Sequence, residues 1–146
     1  MDIKRDLYLQ QLIDRRHTGM IKIVTGVRRC GKSYLVFNNE LLIRGFNVDV
    51  GVVPVVSRDE NGKQVRSQLE IDFVCNQGSK RYYIQSAFRM NDEEKRQNEQ
   101  ASLTKVNDSF KKIIITGEDG LVHRNEQGLT TMSIYDFLLN PNALEL

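Results

Sequence analysis

Residues 26–33 read Gly-Val-Arg-Arg-Cys-Gly-Lys-Ser, and this octet matches the phosphate-binding loop pattern G-x-x-x-x-G-K-[ST] in full. An apolar run at 20–24 precedes the octet, and a stretch typical of a helix start follows it at 33–37. A strand, a glycine-rich loop and a helix in this order form the context in which the pattern binds phosphate. The octet therefore predicts a phosphate site and the start of an α/β fold.

Each fixed position of the octet has a chemical reason. The two glycines let the backbone approach a phosphate with no side chain in the way. The N–H groups of the loop and of the following helix N-terminus then point at the anion. Lysine is expected to reach the β- and γ-phosphates, and the serine hydroxyl is expected to ligate Mg²⁺. The predicted nucleotide-binding residues are Gly26, Val27, Arg28, Arg29, Cys30, Gly31, Lys32 and Ser33, with Mg²⁺ on Ser33 only when nucleotide is bound.

The alternative interpretation of the octet is a glycine-rich turn that binds nothing. Lysine and serine at positions 32 and 33 have no role in such a turn. The pattern therefore favours a nucleotide, and ATP with Mg²⁺ is the expected cofactor pair.

The composition limits the class of protein. A chain of 146 residues, 40% hydrophobic and 27% charged, suits one ordinary domain or two very small ones. No apolar stretch reaches the roughly 18 residues of a membrane helix, and the first residues do not form the apolar segment of a signal peptide. The two cysteines, Cys30 and Cys75, do not make a disulfide framework. These features predict a cytoplasmic protein with no membrane partner.

Charge is unevenly distributed along the chain. Residues 1–37 carry eight Lys/Arg and three Asp/Glu, a net charge of +5, whereas residues 38–146 carry thirteen and sixteen, a net charge of −3. A basic first part suits a polyphosphate ligand, and nucleic acid is the less supported alternative.

Beyond the octet, the hydrophobic pattern predicts alternating helices and strands. Pro54 suggests an edge strand or a bulge, and Gly45 is expected to end a helix. Leu103, Val106 and Phe110 are predicted as the late apolar stripe of a helix that begins at Asn91. The predicted elements are helices at 3–16, 32–44 and from 91, strands at 20–24, 48–56, 69–75, 81–88 and 112–116, turns at 61–62 and 77–79, a polar loop at 118–128, and a strand or turn followed by a short helix at 131–140.

An acidic partner for the octet is missing from the sequence. ATP hydrolysis in this class needs an acidic residue at the end of a neighbouring strand, which holds Mg²⁺. The nearest segment is Ile113–Asp119, in which Glu118 and Asp119 come too late after the apolar residues. There is also no second parallel strand between Ser33 and Val48, because a crossover needs a dozen or more residues. ATP hydrolysis is therefore not expected.

The segment Ile21–Ser33 closely resembles the start of a prokaryotic AAA-like P-loop ATPase family. Members of this family carry a C-terminal domain of unknown function that looks like a restriction-endonuclease fold. Residues 39–140 resemble that domain, including 39–42, 48–51, 70–74 and 109–115, and the bulk of the ATPase domain looks deleted near residues 37–39. The resemblance implies a P-loop βα fragment, residues 1–37, joined to a restriction-endonuclease-like αβββαβ domain, residues 38–146.

Active members of the nuclease-like fold use a helix Glu, a strand Asp and a Glu-x-Lys on the next strand. Glu40 and Asp72 match the first two, but the third motif reads Gln85-Ser86-Ala87. Alternation along the strand places Gln85, Ala87 and Tyr83 on one face. A glutamine still offers one oxygen to Mg²⁺, whereas alanine cannot activate a water. The resemblance therefore implies a degenerate site of Glu40, Asp72 and Gln85 without nuclease activity.

Three functions stay open at this point. The first is a nucleotide-binding protein, and the second is an inactive nuclease-fold module that binds nucleic acid or a protein partner. The second rests on an aromatic and basic cluster formed by Lys80, Arg81, Tyr82, Tyr83 and Arg89. The third is a deletion remnant without a selected activity. The sequence does not determine the oligomeric state.

Overall fold

The structure is a computed structural model that describes residues 6–15, 32–58, 60–87 and 93–146. Within these ranges the chain has a mixed α/β fold with a six-stranded mixed sheet and four α-helices, which confirms the predicted α/β class. The predicted strand at 20–24 lies outside the described residues. In chain order the elements are α1 (Asp6–Asp14), α2 (Lys32–Ile43), β1 (Asn47–Arg58), β2 (Gln64–Gln77), β3 (Lys80–Ala87), α3 (Glu93–Thr104), β4 (Lys111–Thr116), β5 (His123–Arg124), β6 (Leu129–Ser133), α4 (Ile134–Leu139) and a 3-10 turn at Ala143–Glu145.

The chain divides into two compact units, Met1–Phe46 and Asn47–Leu146. The first unit contains α1 and α2, which contact each other, and the second contains the sheet, α3 and α4. The boundary predicted after Phe37 falls inside α2, which continues without a break through that point as the sequence predicts. The division into 1–37 and 38–146 stays a prediction.

Helix α2 ends where the glycine signal predicts. The N–H of Gly45 donates to the carbonyl of Leu42 at 3.0 Å, and the N–H of Phe46 donates to the carbonyl of Leu41 at 3.1 Å. These two bonds satisfy two of the last carbonyls of the helix. They require the residue directly after the helix end to adopt the left-handed conformation. Gly45 supplies that residue with φ of 84°.

The sheet has the strand order β1-β2-β3-β4-β6-β5. Strands β1, β2 and β3 pair antiparallel, β4 joins β3 in parallel, β6 joins β4 in parallel, and β5 pairs antiparallel with β6. Because parallel neighbours need a crossover, α3 connects β3 to β4 and contacts β2 and β3 on the way. Strand β1 lies at one edge, which confirms the interpretation of Pro54 as an edge residue.

Buried side chains lie on both faces of the sheet in the second unit. Three consecutive isoleucines of β4, at 113–115, are buried, as expected of a parallel strand covered on both faces. Val53, Val74 and Val106 are partly buried and pack against a central cluster. That cluster comprises Ile71, Tyr83, Ala87, Leu103, Ile114 and Leu129.

Two predictions about the second unit are wrong. Helix α3 ends at Thr104, so Val106 packs against the core from the following loop, and exposed Phe110 lies under the guanidinium of Arg81, 5.5 Å from its ring centre. The predicted polar loop at 118–128 contains the short strand β5, whose pairing with β6 the composition did not reveal. Tertiary pairing decided the second case, because residues 123–124 have no periodic pattern of their own.

The short helix predicted before Pro141 is confirmed as α4. The Ser133 hydroxyl accepts a hydrogen bond from the N–H of Asp136 at 3.0 Å, and the Asp136 carboxylate accepts one from the N–H of Ser133 at 3.2 Å. This reciprocal cap satisfies two free N–H groups at the helix start. Across the described ranges, no helix is long and apolar enough to span a membrane.

Candidate functional site

The predicted nucleotide-binding octet falls largely outside the described part of the chain. Gly26, Val27, Arg28, Arg29, Cys30 and Gly31 lie outside it, and Lys32 and Ser33 are described as the first two residues of α2. The chain is thus helical directly after the octet, which is what the strand–loop–helix context requires.

Two of the three predicted nuclease-like residues lie together in the second unit. The backbone N–H of Asp72 donates to Oε1 of Gln85 at 3.3 Å, and the backbone N–H of Ser86 donates to Oδ2 of Asp72 at 2.8 Å. The backbone pairing of β2 with β3 ends at Phe73 and Ile84. Side chains therefore continue the connection between the two strands where the backbone ladder stops.

A bulge in β2 places Asp72 at this point. Asp49 pairs with Val74 and Gly51 pairs with Ile71, so β2 has two residues, Asp72 and Phe73, where β1 has one. A bulge bends its strand and redirects a side chain. It thereby accounts for the separation of β2 from β3 at Asp72.

Helix α3 adds two polar groups that complete the β2–β3 polar cluster, defined here as Asp72, Gln85, Ser86, Glu99 and Ser102. The Ser102 hydroxyl donates to Oε1 of Gln85 at 3.4 Å, and Nε2 of Gln85 donates to Oε2 of Glu99 at 3.4 Å. Gln85 thus connects β3 to both β2 and α3. Sequence reasoning missed Glu99, although it lies four residues before buried Leu103 and so shares its helix face.

The electrostatics of the cluster act mainly on Asp72. Burial raises the pKa of the Asp72 carboxyl above its usual value of 3.8, and the negative charges of Glu99 and Glu70 raise it further. The hydrogen bond from the Ser86 N–H opposes these effects because it stabilises the charged form. The net direction is upward, so the native state favours the protonated carboxyl more than the unfolded chain does.

Glu40, the third predicted residue, belongs to the first unit. Its Oε1 accepts a bond of 2.8 Å from Nε of Arg44, one helical turn further along α2. This is an i,i+4 pair of the kind that supports a helix. The structure therefore brings Asp72 and Gln85 together and gives Glu40 a partner in its own helix.

The chemistry of the cluster is limited by its residue types. In the described ranges no group of three or more His, Cys, Asp or Glu side chains is arranged to hold a metal ion. Ala87 is buried in the central core cluster on the same face as Tyr83, as the alternation predicts, and its methyl group cannot orient a water. The cluster is suited to joining two strands and a helix.

The aromatic and basic cluster predicted on β3 makes contacts within the chain. Tyr82 is 4% exposed and Tyr83 is 8% exposed. The Tyr82 hydroxyl donates to Glu145 at 2.8 Å and the Tyr83 hydroxyl donates to Asp108 at 2.7 Å. Stacking of a base needs an exposed ring face, so these rings do not provide such a surface. Arg89 lies outside the described residues.

The late acidic residues after β4 lie beyond the strand end, as predicted. Strand β4 ends at Thr116, and Glu118 and Asp119 line an open cavity of about 180 Å³ with His123. Sites for drug-sized ligands usually have volumes of about 300–1,000 Å³. This cavity therefore does not support a nucleotide site.

No protein-family model, curated protein or solved structure matches this chain. The resemblance to the AAA-like ATPase family and to the restriction-endonuclease fold therefore stays a prediction.

Proposed function

We propose that this chain is a nucleotide-binding protein of the AAA-like P-loop ATPase family that binds ATP with Mg²⁺ through residues 26–33. The observation that carries the proposal is the complete octet G-x-x-x-x-G-K-[ST]. The helical conformation of the chain from Lys32 onward supports it, because a phosphate-binding loop is followed by a helix.

The physical basis of the binding is a concentration of positive charge and N–H donors. Unpaired N–H groups and the helix dipole attract an anion at the N-terminus of α2. Lys32 adds a full charge, and the Ser33 hydroxyl offers an oxygen to Mg²⁺. The net charge of +5 over residues 1–37 favours the same ligand.

Hydrolysis is not part of the proposed function. The reaction needs an acidic residue that holds Mg²⁺ and a group that positions water. The sequence offers no such acid at the end of a strand near the octet, and Glu118 follows β4 by two residues. The proposed activity is therefore binding.

For the second part of the chain we propose a restriction-endonuclease-like αβββαβ fold without nuclease activity. The order α2-β1-β2-β3-α3-β4 supports this, together with the antiparallel β1-β2-β3 and the parallel β4. The pairing of Asp72 with Gln85 supports it further. An inactive module that binds nucleic acid or a protein partner is accordingly the second candidate function, and a deletion remnant is the third.

Isothermal titration of Mg·ATP into the full chain tests the proposal. We expect heat of binding for the wild type and for Lys105→Ala, a control lysine that is exposed after α3. We expect none for Lys32→Ala, because this variant lacks the positive charge that is expected to contact the β- and γ-phosphates. Equal heats for wild type and Lys32→Ala would contradict the proposal, and so would the absence of heat for the wild type.

Alkylation of the two cysteines gives a second measurement. Cys30 belongs to the octet, so Mg·ATP is expected to slow its reaction with iodoacetamide. Cys75 is buried, and burial raises the pKa of its thiol to about 12, so it serves as the unreactive reference. If Mg·ATP protects Cys30 equally in wild type and Lys32→Ala, the octet is not the binding site.

A further inference from the structure

The tip of the β1–β2 hairpin contains the sequence Asn61-Gly62, which is the one Asn-Gly pair in the chain. Arg58 and Gln64 are the last residues of the two strands that pair with each other. Residues 60–63 lie beyond this pair, and all four are exposed to solvent. The Asn-Gly pair therefore lies outside the hydrogen-bonded ladder, where water reaches both its backbone and its side chain.

Gly62 removes the usual obstacle to a reaction between these two residues. Glycine has no Cβ, so its backbone nitrogen is easily approached and adopts conformations that other residues avoid. Gly62 has a φ of 76°, and a Cβ added to it would meet no described residue within 4 Å. The surroundings of Gly62 are therefore open to the side chain of Asn61 and to water.

We propose that Asn61-Gly62 is a site of spontaneous deamidation, in which water converts Asn61 to aspartate and isoaspartate. In the first step the backbone nitrogen of Gly62 loses its proton to a base in the solvent and attacks Cγ of Asn61. A bond forms between these two atoms, and the side-chain amide nitrogen takes up a proton and leaves as ammonia. The product is a five-membered succinimide ring.

Hydrolysis of this ring completes the modification. Water adds to one of the two ring carbonyls, and the bond between that carbon and the ring nitrogen breaks. Breakage at Cγ gives aspartate, whereas breakage at the backbone carbonyl carbon gives isoaspartate, in which the main chain continues through the side chain. Either product carries one more negative charge than asparagine, so the formal net charge of the chain falls by one, from +2 to +1.

Two other asparagines lack one of these conditions and serve as internal controls. Asn142 is exposed, but it precedes Ala143, whose methyl group hinders the attack of the backbone nitrogen. Asn76 lies in β2, where it pairs with Asn47 of β1, and its Oδ1 accepts a hydrogen bond of 2.7 Å from Nε of Arg81. Both asparagines are therefore expected to react more slowly than Asn61.

Peptide mapping of the full chain by mass spectrometry tests the proposal. The chain is incubated without nucleotide at mildly alkaline pH, so the outcome is independent of the proposed nucleotide binding, and trypsin then releases residues 59–63 as one peptide. We expect this peptide to gain the mass difference between a hydroxyl and an amino group. It should separate into two products of equal mass, and the peptides that contain Asn76 and Asn142 should change at least about tenfold more slowly.

Two substitutions act on the ring closure itself. Asn61→Gln keeps the amide but requires a larger ring, and Gly62→Ala adds a Cβ beside the attacking nitrogen. We expect each of them to slow the modification of residue 61 at least about tenfold. The matched control is Gly78→Ala, which imposes the same kind of strain at the turn between β2 and β3, where φ is 60°, and it should leave the rate at Asn61 unchanged. Far-ultraviolet circular dichroism checks that each variant is folded.

An unchanged peptide 59–63 would overturn the proposal, and so would a rate equal to the rates at Asn76 and Asn142. A single aspartate product would show that water hydrolyses the amide directly, without the ring, and would overturn it as well. Equal rates in the wild type and in Gly62→Ala would have the same meaning. If Gly62→Ala fails to fold, Asn61→Gln supplies the comparison.

Discussion

The carboxylate of Asp72 accepts a hydrogen bond of 2.8 Å from the backbone N–H of Ser86, just beyond the last backbone pair of β2 with β3. A backbone N–H at the end of a ladder needs a partner, because an unpaired buried group costs free energy. Asp72 provides that partner from a bulge on the neighbouring strand. The residue therefore has a structural role that requires no metal ion.

Replacement of Asp72 separates its hydrogen bond from its charge. Asp72→Ala leaves the Ser86 N–H without its acceptor, and we expect a loss of about 1–3 kcal/mol in the free energy of unfolding. Asp72→Asn keeps an acceptor oxygen and removes the charge that burial and Glu99 disfavour, so it should be at least as stable as the wild type at neutral pH. Urea denaturation of the three proteins measures both effects.

The pH dependence of stability tests the raised pKa of Asp72. Because the native state binds this proton more tightly than the unfolded chain, the carboxyl stabilises the protein as the pH falls through its native pKa and destabilises it as the pH rises. The stability of Asp72→Asn relative to wild type should therefore increase as the pH rises from about 3.8, the usual pKa of the carboxyl, and should level off above the native pKa. A difference that stays constant or decreases would contradict the raised pKa.

Gly51 lies at the close approach of β1 and β2 beside the bulge. A Cβ atom at this position would lie 2.8 Å from Cγ2 of Val74 and 3.1 Å from Cβ of Ile71. We expect Gly51→Ala to lower the free energy of unfolding by about 1–3 kcal/mol, since a branched side chain and a backbone-bound Cβ have little room to move. Thermal or urea unfolding measures the loss.

The control for this prediction is Gly120→Ala. A Cβ at Gly120 would have no neighbour within 4 Å, so the change should stay within about 0.5 kcal/mol. If the two alanine variants are equally stable, Ile71 and Val74 leave room for a Cβ atom at residue 51.

Two buried threonines should respond with opposite signs to the same change. Thr130 is 2% exposed, and its Oγ1 has no hydrogen-bond partner within the part of the chain that is described. Thr116 is also buried, and its hydroxyl donates to the carbonyl of Glu118 at 3.2 Å. We expect Thr130→Val to stabilise the protein by up to about 1 kcal/mol and Thr116→Val to destabilise it by about 0.5–1.5 kcal/mol. Urea denaturation gives both changes in the free energy of unfolding. Two changes of the same sign would contradict the difference in hydrogen bonding between the two hydroxyl groups.

The Tyr82 hydroxyl is expected to ionise at a higher pH than an ordinary tyrosine. Burial, and then the hydrogen bond to Glu145, raise its pKa from 10.0 to about 12. The native state therefore holds the phenolic proton more tightly than the unfolded chain, and stability should fall as the pH rises from about 10 towards about 12. Phenolate absorbance of wild type minus Tyr82→Phe isolates this group among the five tyrosines.

The contribution of Glu145 to this pKa can be measured separately. Glu145→Gln removes the negative charge beside the hydroxyl, so the ionisation of Tyr82 should move to lower pH while the buried ring keeps it above the usual value. An unchanged titration in Glu145→Gln would show that the bond between these two residues does not form in solution.

Local signals were sufficient to predict most element positions. Gly45 ended α2 where it was expected, since a left-handed residue is a property of the local backbone. The alternation in β3 correctly placed Gln85, Ala87 and Tyr83 on one face, because side chains alternate along a regular strand. Pro54 indicated the edge strand because proline has no N–H to donate to a neighbouring strand.

Other features depended on partners that are distant along the chain. The joining role of Asp72 depends on Ser86, fourteen residues away, and the approach of Glu99 depends on how α3 packs on the sheet. Strand β5 has no pattern of its own and exists through pairing with β6. Phe110 does not belong to the predicted apolar stripe of the helix, because α3 ends at Thr104.

By itself, the sequence determined the α/β class and most of the element order, because both depend on residue type and short-range periodicity. The tertiary structure alone decided that the two tyrosines of β3 are buried against Glu145 and Asp108, and that β1 has a free outer edge within the described sheet. The physical reason is that burial and hydrogen-bond partners are set by long-range packing, which residue spacing does not specify.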